Sequence, residues 1–197
     1  LIIKDPVHTI ETNLFGTEVV LKLAQRYYRK VLLASSSEVY GKSPDLPFRE
    51  GADRVMGSTT KSRWSYAESK AMDEFLALAY HKQLNVPIVI CRFFNTVGPR
   101  QTGMYGMVIP RLVKQAVNDL PLTVYGDGQQ LRDFNYVDDV VDAFLIAALD
   151  ARADGQAYNL GSAEPPINLS DLARLLIETN AAGDYRCIPF PSDRKAI

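Results

Sequence analysis

Tyr66 and Lys70 lie four positions apart in Tyr66-Ala67-Glu68-Ser69-Lys70, a spacing that puts both side chains on one face of a helix. An ammonium beside a phenol favours the phenolate, and a phenolate is a strong base. An unperturbed tyrosine titrates near about 10, so service as a base near neutrality takes about 4 kcal/mol of preferential phenolate stabilisation. The spacing by itself also describes an ordinary exposed amphipathic helix. Its surroundings decide between the two. Upstream, the apolar run Val31-Leu32-Leu33-Ala34 ends in Ser35-Ser36-Ser37-Glu38-Val39-Tyr40-Gly41, which sets hydroxyls and a carboxylate at a strand end. In open α/β sheets that is where ligands bind.

Three further stretches follow in order: Arg92-Phe93-Phe94-Asn95-Thr96-Val97-Gly98-Pro99-Arg100, Gly126-Asp127-Gly128, and Arg132-Asp133-Phe134 with Val137-Asp138-Asp139-Val140. In this order and spacing the set resembles the extended short-chain dehydrogenase/reductase family, specifically its NAD-dependent nucleotide-sugar epimerases, dehydratases and decarboxylases. The resemblance runs from about Asp5 to the C-terminus.

The resemblance implies roles for individual residues. Ser36 would hydrogen-bond the sugar hydroxyl being oxidised. Tyr66 would remove its proton as hydride passes to NAD, and Lys70, with the cationic nicotinamide, would lower the Tyr66 pKa and bond the nicotinamide ribose. Ser35 and Phe94 would face the cofactor, Phe94 through its main chain. Ser37, Asn95, Tyr125, Arg132 and Arg194 would bind substrate: Asn95, Arg132 and Arg194 at the diphosphate, Tyr125 against the nucleobase. The bland alternatives are core aromatics for Phe94 and Tyr125 and surface ion pairs for the arginines.

Glu38 separates the reactions. Simple 4-epimerases that resemble this chain usually carry a non-acidic residue there, whereas 4,6-dehydratases and glucuronate decarboxylases carry glutamate. Ser36-Ser37-Glu38, Pro121-Leu122-Thr123-Val124-Tyr125-Gly126 and Arg63-Trp64 look most like the decarboxylases. The expected activity is therefore decarboxylation of UDP-glucuronate through a transient 4-keto sugar, with sugar 4-epimerisation and 4,6-dehydration as alternatives. A non-catalytic sugar-nucleotide-binding fragment or sensor is the reading from another class, but such sensors lose the tyrosine and lysine that are intact here.

The elements that must position these residues are legible in outline. Pro6 to Tyr28 has helical spacing, capped by Asp5-Pro6, and Gly16 within it suggests a close packing point. Asn13 is expected to satisfy buried backbone in that helix, although the resemblance puts an asparagine there near the cofactor side. Val31 to Ser35 and Val86 to Arg92 read as strands buried on both faces of a parallel sheet, joined by a helix over about 65–83 and a long loop at 41–62. Beyond Gly98-Pro99 the pattern predicts a helix at 107–119, a strand at 122–125, an extended segment at 132–136, helices at 138–150 and 169–180, and strands near 157–160 and 186–188. Asn168 or Ser170 would cap the 169–180 helix, and Asp138 and Asp139 would cap and charge the start of another.

The fold class predicted is α/β: a Rossmann-like doubly wound parallel sheet with a smaller α/β substrate-binding domain. Residues 1–100 would form the C-terminal part of the NAD-binding domain. Residues 101–197 would be mainly the nucleotide-sugar domain, with some elements returning to the first sheet. The strand, glycine-rich turn and helix that normally open a dinucleotide fold are not found in this sequence, so the chain reads as a fragment lacking the N-terminal part of the sheet and a C-terminal piece. Alone it would bind NAD poorly and be inactive.

Composition excludes other classes. A net charge of -1 over 197 residues offers no electrostatic footprint for nucleic acid or an anionic membrane. No apolar run could span a bilayer. Two cysteines, Cys91 and Cys187, are too few for a disulfide scaffold and point to a reducing cytoplasm. His8 and His81 lack partners at metal-ligand spacing, and the charged run from Lys22 to Lys30 reads as a solvated helix face. The family's usual homodimer would form through helices at about 7–28 and 65–83.

Overall fold

A computed structural model of the chain describes residues 5–103, 107–180 and 183–190. Helix α1 (Pro6–Tyr27) is followed by strand β1 (Val31–Ser36), a short 3-10 turn at Ser37–Tyr40, a long loop, a second 3-10 turn at Ser62–Trp64 and helix α2 (Ser65–Leu84). Strands β2 (Ile88–Phe93) and β3 (Asn95–Val97), helix α3 (Val108–Val117), and strands β4 (Leu122–Tyr125), β5 (Leu131–Arg132) and β6 (Phe134–Tyr136) come next. Helix α4 (Val137–Leu149), strands β7 (Gln156–Leu160) and β8 (Ile167–Asn168), helix α5 (Leu169–Asn180) and strand β9 (Tyr185–Ile188) complete the order. Among the described residues no helix is long and apolar enough to cross a membrane.

The described residues form two compact units, 5–94 with 138–160, and the remainder. In the first, β1, β2 and β7 make a parallel sheet in the order β1-β2-β7, with Ala34 opposite Cys91 and Cys91 opposite Tyr158. The continuous apolar runs are explained by the two covered faces of this sheet. Val31, Leu33, Ile88 and Ile90 pack with Leu21 and Ala24 of α1 and Ala77 of α2. Their alternate neighbours Val89 and Cys91 pack on the other side with Leu32, Phe93, Phe144 and Ala147. A period of two therefore runs beneath an unbroken hydrophobic stretch. Burial pushes the Cys91 thiol up to about 11, so it is an inert core residue.

A charged network is built into the same unit. The Glu74 carboxylate accepts from the Ser35 hydroxyl and from Arg92 Nε and Nη2, the latter at 2.6 Å. Arg92 Nη1 donates to the Tyr40 hydroxyl at 2.8 Å and to the Glu50 carbonyl, and Tyr40 donates to Asn159 at 2.7 Å. Burial acts to lower the Arg92 guanidinium, but Glu74 and Tyr40 outweigh it and push it up. Removing one member of such a buried pair costs about 3–5 kcal/mol. The network ties the end of β1 and the long loop to α2, β2 and β7.

In the second unit α3 and α5 pack on β4 and β9, which pair in parallel, around Leu112, Leu122, Val124, Leu172 and Ala173. β3 pairs in parallel with β6, and β5 antiparallel with β8.

Four local expectations are corrected. A Cβ on Gly16 would meet nothing within 4 Å, so this glycine marks no close packing. Asn13 donates at 2.8 Å to the Ser69 hydroxyl on α2 rather than to its own helix. Asp138 lies inside the first turn of α4, which starts at Val137. β2 begins at Ile88 because Asn85 ends α2 in the left-handed region (φ 55) and Pro87 brings no N–H to a ladder. Asn168 is the cap of α5, its Oδ1 accepting from Asp171 N at 2.7 Å.

Candidate active site

Ser36 is the last residue of β1 and its side chain caps the 3-10 turn that follows, accepting from Glu38 N at 3.2 Å. Gly41 closes that turn at φ 64, and a Cβ there would collide with the Val55 carbonyl. The sharp turn projects Ser36, Ser37 and Glu38 from the sheet end while Val39 and Tyr40 anchor it in the core. Opposite stands the first turn of α2. The Ser36 side chain hydrogen-bonds the Tyr66 phenol, and Glu38 is near enough to act on it electrostatically. Ser36, Glu38 and Tyr66 thus form one cluster, with Lys70 a turn further along α2.

The electrostatics of the cluster are set first by burial. Burial pushes the Tyr66 phenol up from its ordinary value. The Ser36 hydrogen bond works against this, and the charges of Glu38 and Asp73 add to the rise. The Lys70 ammonium lies beside the fully buried Asp73, with Nζ 3.6 Å from Oδ2. Burial in turn pushes the Asp73 carboxyl up, with Thr17 and Lys70 opposing. Glu38 is itself held by Arg63, whose Nη2 lies 3.1 Å from its Oε2.

Ser35 is 3% exposed and its hydroxyl is committed to Glu74. The side chain points into the core because successive residues of a strand face opposite ways, so only its main chain is left for a cofactor. Phe94 continues β2, its N–H donating to Leu160 O at 3.2 Å and its ring near Phe48. Serine hydroxyls, a phenol and an ammonium suit the diol of a ribose and a sugar hydroxyl. Among the described residues no group of three His, Cys, Asp or Glu could hold a metal. The residues present thus suit the nicotinamide end of a dinucleotide.

The second unit carries a separate cavity of about 240 Å³, and Asn95, Tyr125 and Arg132 all line it. Asn95 Nδ2 donates to Asp133 O at 2.8 Å. Arg132 is exposed, with Nη1 donating to Leu131 O. Arg111 of α3, which the sequence reading did not single out, stands 4.3 Å from the Tyr125 ring centre. Gln130 reaches the Tyr125 carbonyl at 2.8 Å, and Phe190 packs near the ring at 5.9 Å. An aromatic face, a cation and an arginine fork around one concavity can take a flat base and an anionic group. Arg194 lies outside the described residues. Arg63 and Asp73 were also missed. Asp73 could have been noticed as an acid three positions after Lys70, the spacing of helical neighbours.

Residues 2–161 match the model of the NAD dependent epimerase/dehydratase family. The chain is 46% identical over 186 residues to a UDP-N-acetyl-alpha-D-glucosaminuronate decarboxylase of Bacillus cytotoxicus, covering 93% of this chain and 57% of that protein. It is 37% identical to UDP-glucuronic acid decarboxylase 1 of Arabidopsis thaliana, covering 92% and 42%. Among solved structures it is similar to a UDP-glucuronic acid 4-epimerase from Bacillus cereus in complex with UDP-glucuronic acid and NAD, at a TM-score of 0.79 and 30% identity, covering 91% and 55%. The chain thus spans about half the length of the curated relatives it matches.

Proposed function

The chain belongs to the NAD dependent epimerase/dehydratase family, and on that premise we propose that the protein decarboxylates a UDP-activated hexuronate through a transient 4-keto sugar. The observation that carries this reading is the cluster of Ser36, Glu38 and Tyr66 at the end of β1, with an acidic side chain where an epimerase needs none. The decarboxylase relatives support it.

In this reading Ser36 holds the C4 hydroxyl and Tyr66 takes its proton. NAD, when bound, accepts the C4 hydride and later returns it. The resulting ketone lies β to the C6 carboxylate, so the C5–C6 bond can break with its electrons delocalised into the ketone as carbon dioxide leaves. Glu38 manages the proton at C5. Lys70 bonds the nicotinamide ribose, and the Phe94 main chain meets the nicotinamide amide. Ser37 touches the sugar. Asn95, Arg132 and Arg194 bind the diphosphate, and Tyr125, with Arg111, stacks on the base. The first unit then serves as the C-terminal part of the dinucleotide-binding domain and the second as the substrate domain. We further propose a homodimer through α1 and α2, working in the cytoplasm.

The test is mass spectrometry of UDP-glucuronate and of its N-acetylglucosamine counterpart, incubated with NAD and the protein at its full natural length. Loss of carbon dioxide from either is expected. The similarity to a UDP-glucuronic acid 4-epimerase favours one second reading. An unchanged mass with inverted C4 configuration, read by nuclear magnetic resonance, would establish it and overturn decarboxylation.

A further inference from the structure

Arg63 stands three residues before Tyr66, in the 3-10 turn that leads into α2. Its guanidinium packs on the Trp64 ring at 5.2 Å. One nitrogen, Nη2, serves both oxygens of Glu38, at 3.1 and 3.5 Å. Nε is buried and has no hydrogen-bond partner among the described residues. A guanidinium carries five N–H donors in a fixed fork, so Glu38 occupies one corner of it. A buried donor without an acceptor is costly, and an acceptor at Nε would relieve that cost.

The reaction proposed above, on which this inference rests, brings such an acceptor. The carboxylate of a hexuronate is attached to C5, next to the C4 whose hydroxyl meets Tyr66. It therefore arrives beside Glu38, which already lies within electrostatic reach of that phenol. Two carboxylates in one site disfavour each other's ionised form unless a cation stands with them. Three other cations of this unit are committed elsewhere: Lys70 to Asp73, Arg54 to Glu68 and Arg92 to Glu74. Lys42 lies 5.7 Å from the far partner of the stack, the Trp64 ring.

We propose that Arg63 determines specificity for the sugar carboxylate: Nη2 holds Glu38 while Nε and the rest of the fork receive the C6 carboxylate, so the site selects an anionic sugar over a neutral hexose. The stack on Trp64 keeps the plane of the fork fixed, which favours a second acceptor at low entropic cost.

The experiment is calorimetric titration of the full natural-length protein, saturated with NAD, with UDP-glucuronate and with UDP-glucose. Arg63→Gln is expected to weaken UDP-glucuronate about ten-fold or more, as befits loss of a charge-assisted hydrogen bond, and UDP-glucose less than about three-fold. Arg63→Lys keeps the charge without the fork and is expected to fall between. Retained UDP-glucose binding shows that the variant site is intact. Equal losses for both ligands would mean that Arg63 only braces Trp64 and Glu38, and an unweakened UDP-glucuronate would mean that it does not touch the carboxylate. Either result overturns the proposal. Turnover by the wild type is a separate readout. If UDP-glucuronate is bound but never decarboxylated, while Arg63→Gln abolishes the preference, the reaction assignment fails and the carboxylate site stands.

Discussion

Burial and the charges of Glu38 and Asp73 raise the Tyr66 phenol, and the Ser36 hydrogen bond is the one influence from this cluster that lowers it. A base works in its deprotonated form, so the fraction of active enzyme falls about ten-fold for each pH unit below the Tyr66 pKa. The rate should therefore rise with pH toward an alkaline plateau. Ser36→Ala removes the hydrogen bond that favours the phenolate, and the rising limb should move to higher pH. A hydrogen bond to a charged group is worth about 1.5–3 kcal/mol, which is about one to two pH units. The loss of kcat/KM should then be largest near neutrality and shrink as the pH rises. The pH profile of wild type and variant checks this, and a parallel downward displacement with no shift of the limb would confine Ser36 to holding substrate. The placing of Lys70 belongs at this scale too. Its one-turn spacing from Tyr66 was legible, but the spacing could not tell which of two neighbours takes the ammonium, and the buried Asp73 carboxylate does.

At the scale of elements, the turn and loop that frame the cluster are stiffened by a few contacts that no periodicity reveals. Trp64 is bracketed by Arg63 at 5.2 Å and Lys42 at 5.7 Å, and Gly57 lies so close that a Cβ on it would collide with the indole. Gly57→Ala must displace backbone or ring, and Arg63 moves with its stacking partner. Trp64 is the single tryptophan of the chain, so its emission reports the change directly. The expected outcome is an altered emission maximum together with a drop in kcat/KM of about ten-fold or more, the usual sensitivity to misplacement of positioning groups. Unchanged emission and activity would show that the loop yields without disturbing the turn. Strands β1 and β2 and the five helices were legible because each buries a face with its own period, as Ile88 and Ile90 do against Val89 and Cys91. The split of the expected extended segment 132–136 into β5 and β6 was not, because its strands pair with β8 and β3, far away in sequence. The burial of the Ser35 side chain was not legible for a related reason. Its exposure depends on Glu74 and Arg92 arriving from α2 and β2, and nothing local to Ser35 announces them.

At the scale of the whole molecule, α1 and α2 bury one face against the sheet and leave another apolar. Phe15, Val19, Leu23 and Tyr27 recur every fourth residue on α1 and are about half exposed, and Met72, Phe75 and Leu78 recur every third residue on α2 at 36–61% exposure. The two helices pack on each other, and both stripes belong to the first unit. Exposed apolar surfaces of this kind on a monomer mark interaction sites, and a second copy presenting the same two helices would cover them isologously. A stable interface needs about 800 Å² from each partner, which two helices of 22 and 20 residues can supply. Val19→Glu with Phe75→Glu would place an unpaired carboxylate from each helix into that contact, and burying an unpaired charge is strongly unfavourable. Both side chains are more than half exposed in the single chain, so the substitutions should leave its fold intact. Sedimentation equilibrium of the full natural-length protein should therefore show a dimer for the wild type and a monomer for the double variant, with similar circular dichroism. A wild type that sediments as a monomer, or a variant that remains dimeric, would assign the stripes to a different partner.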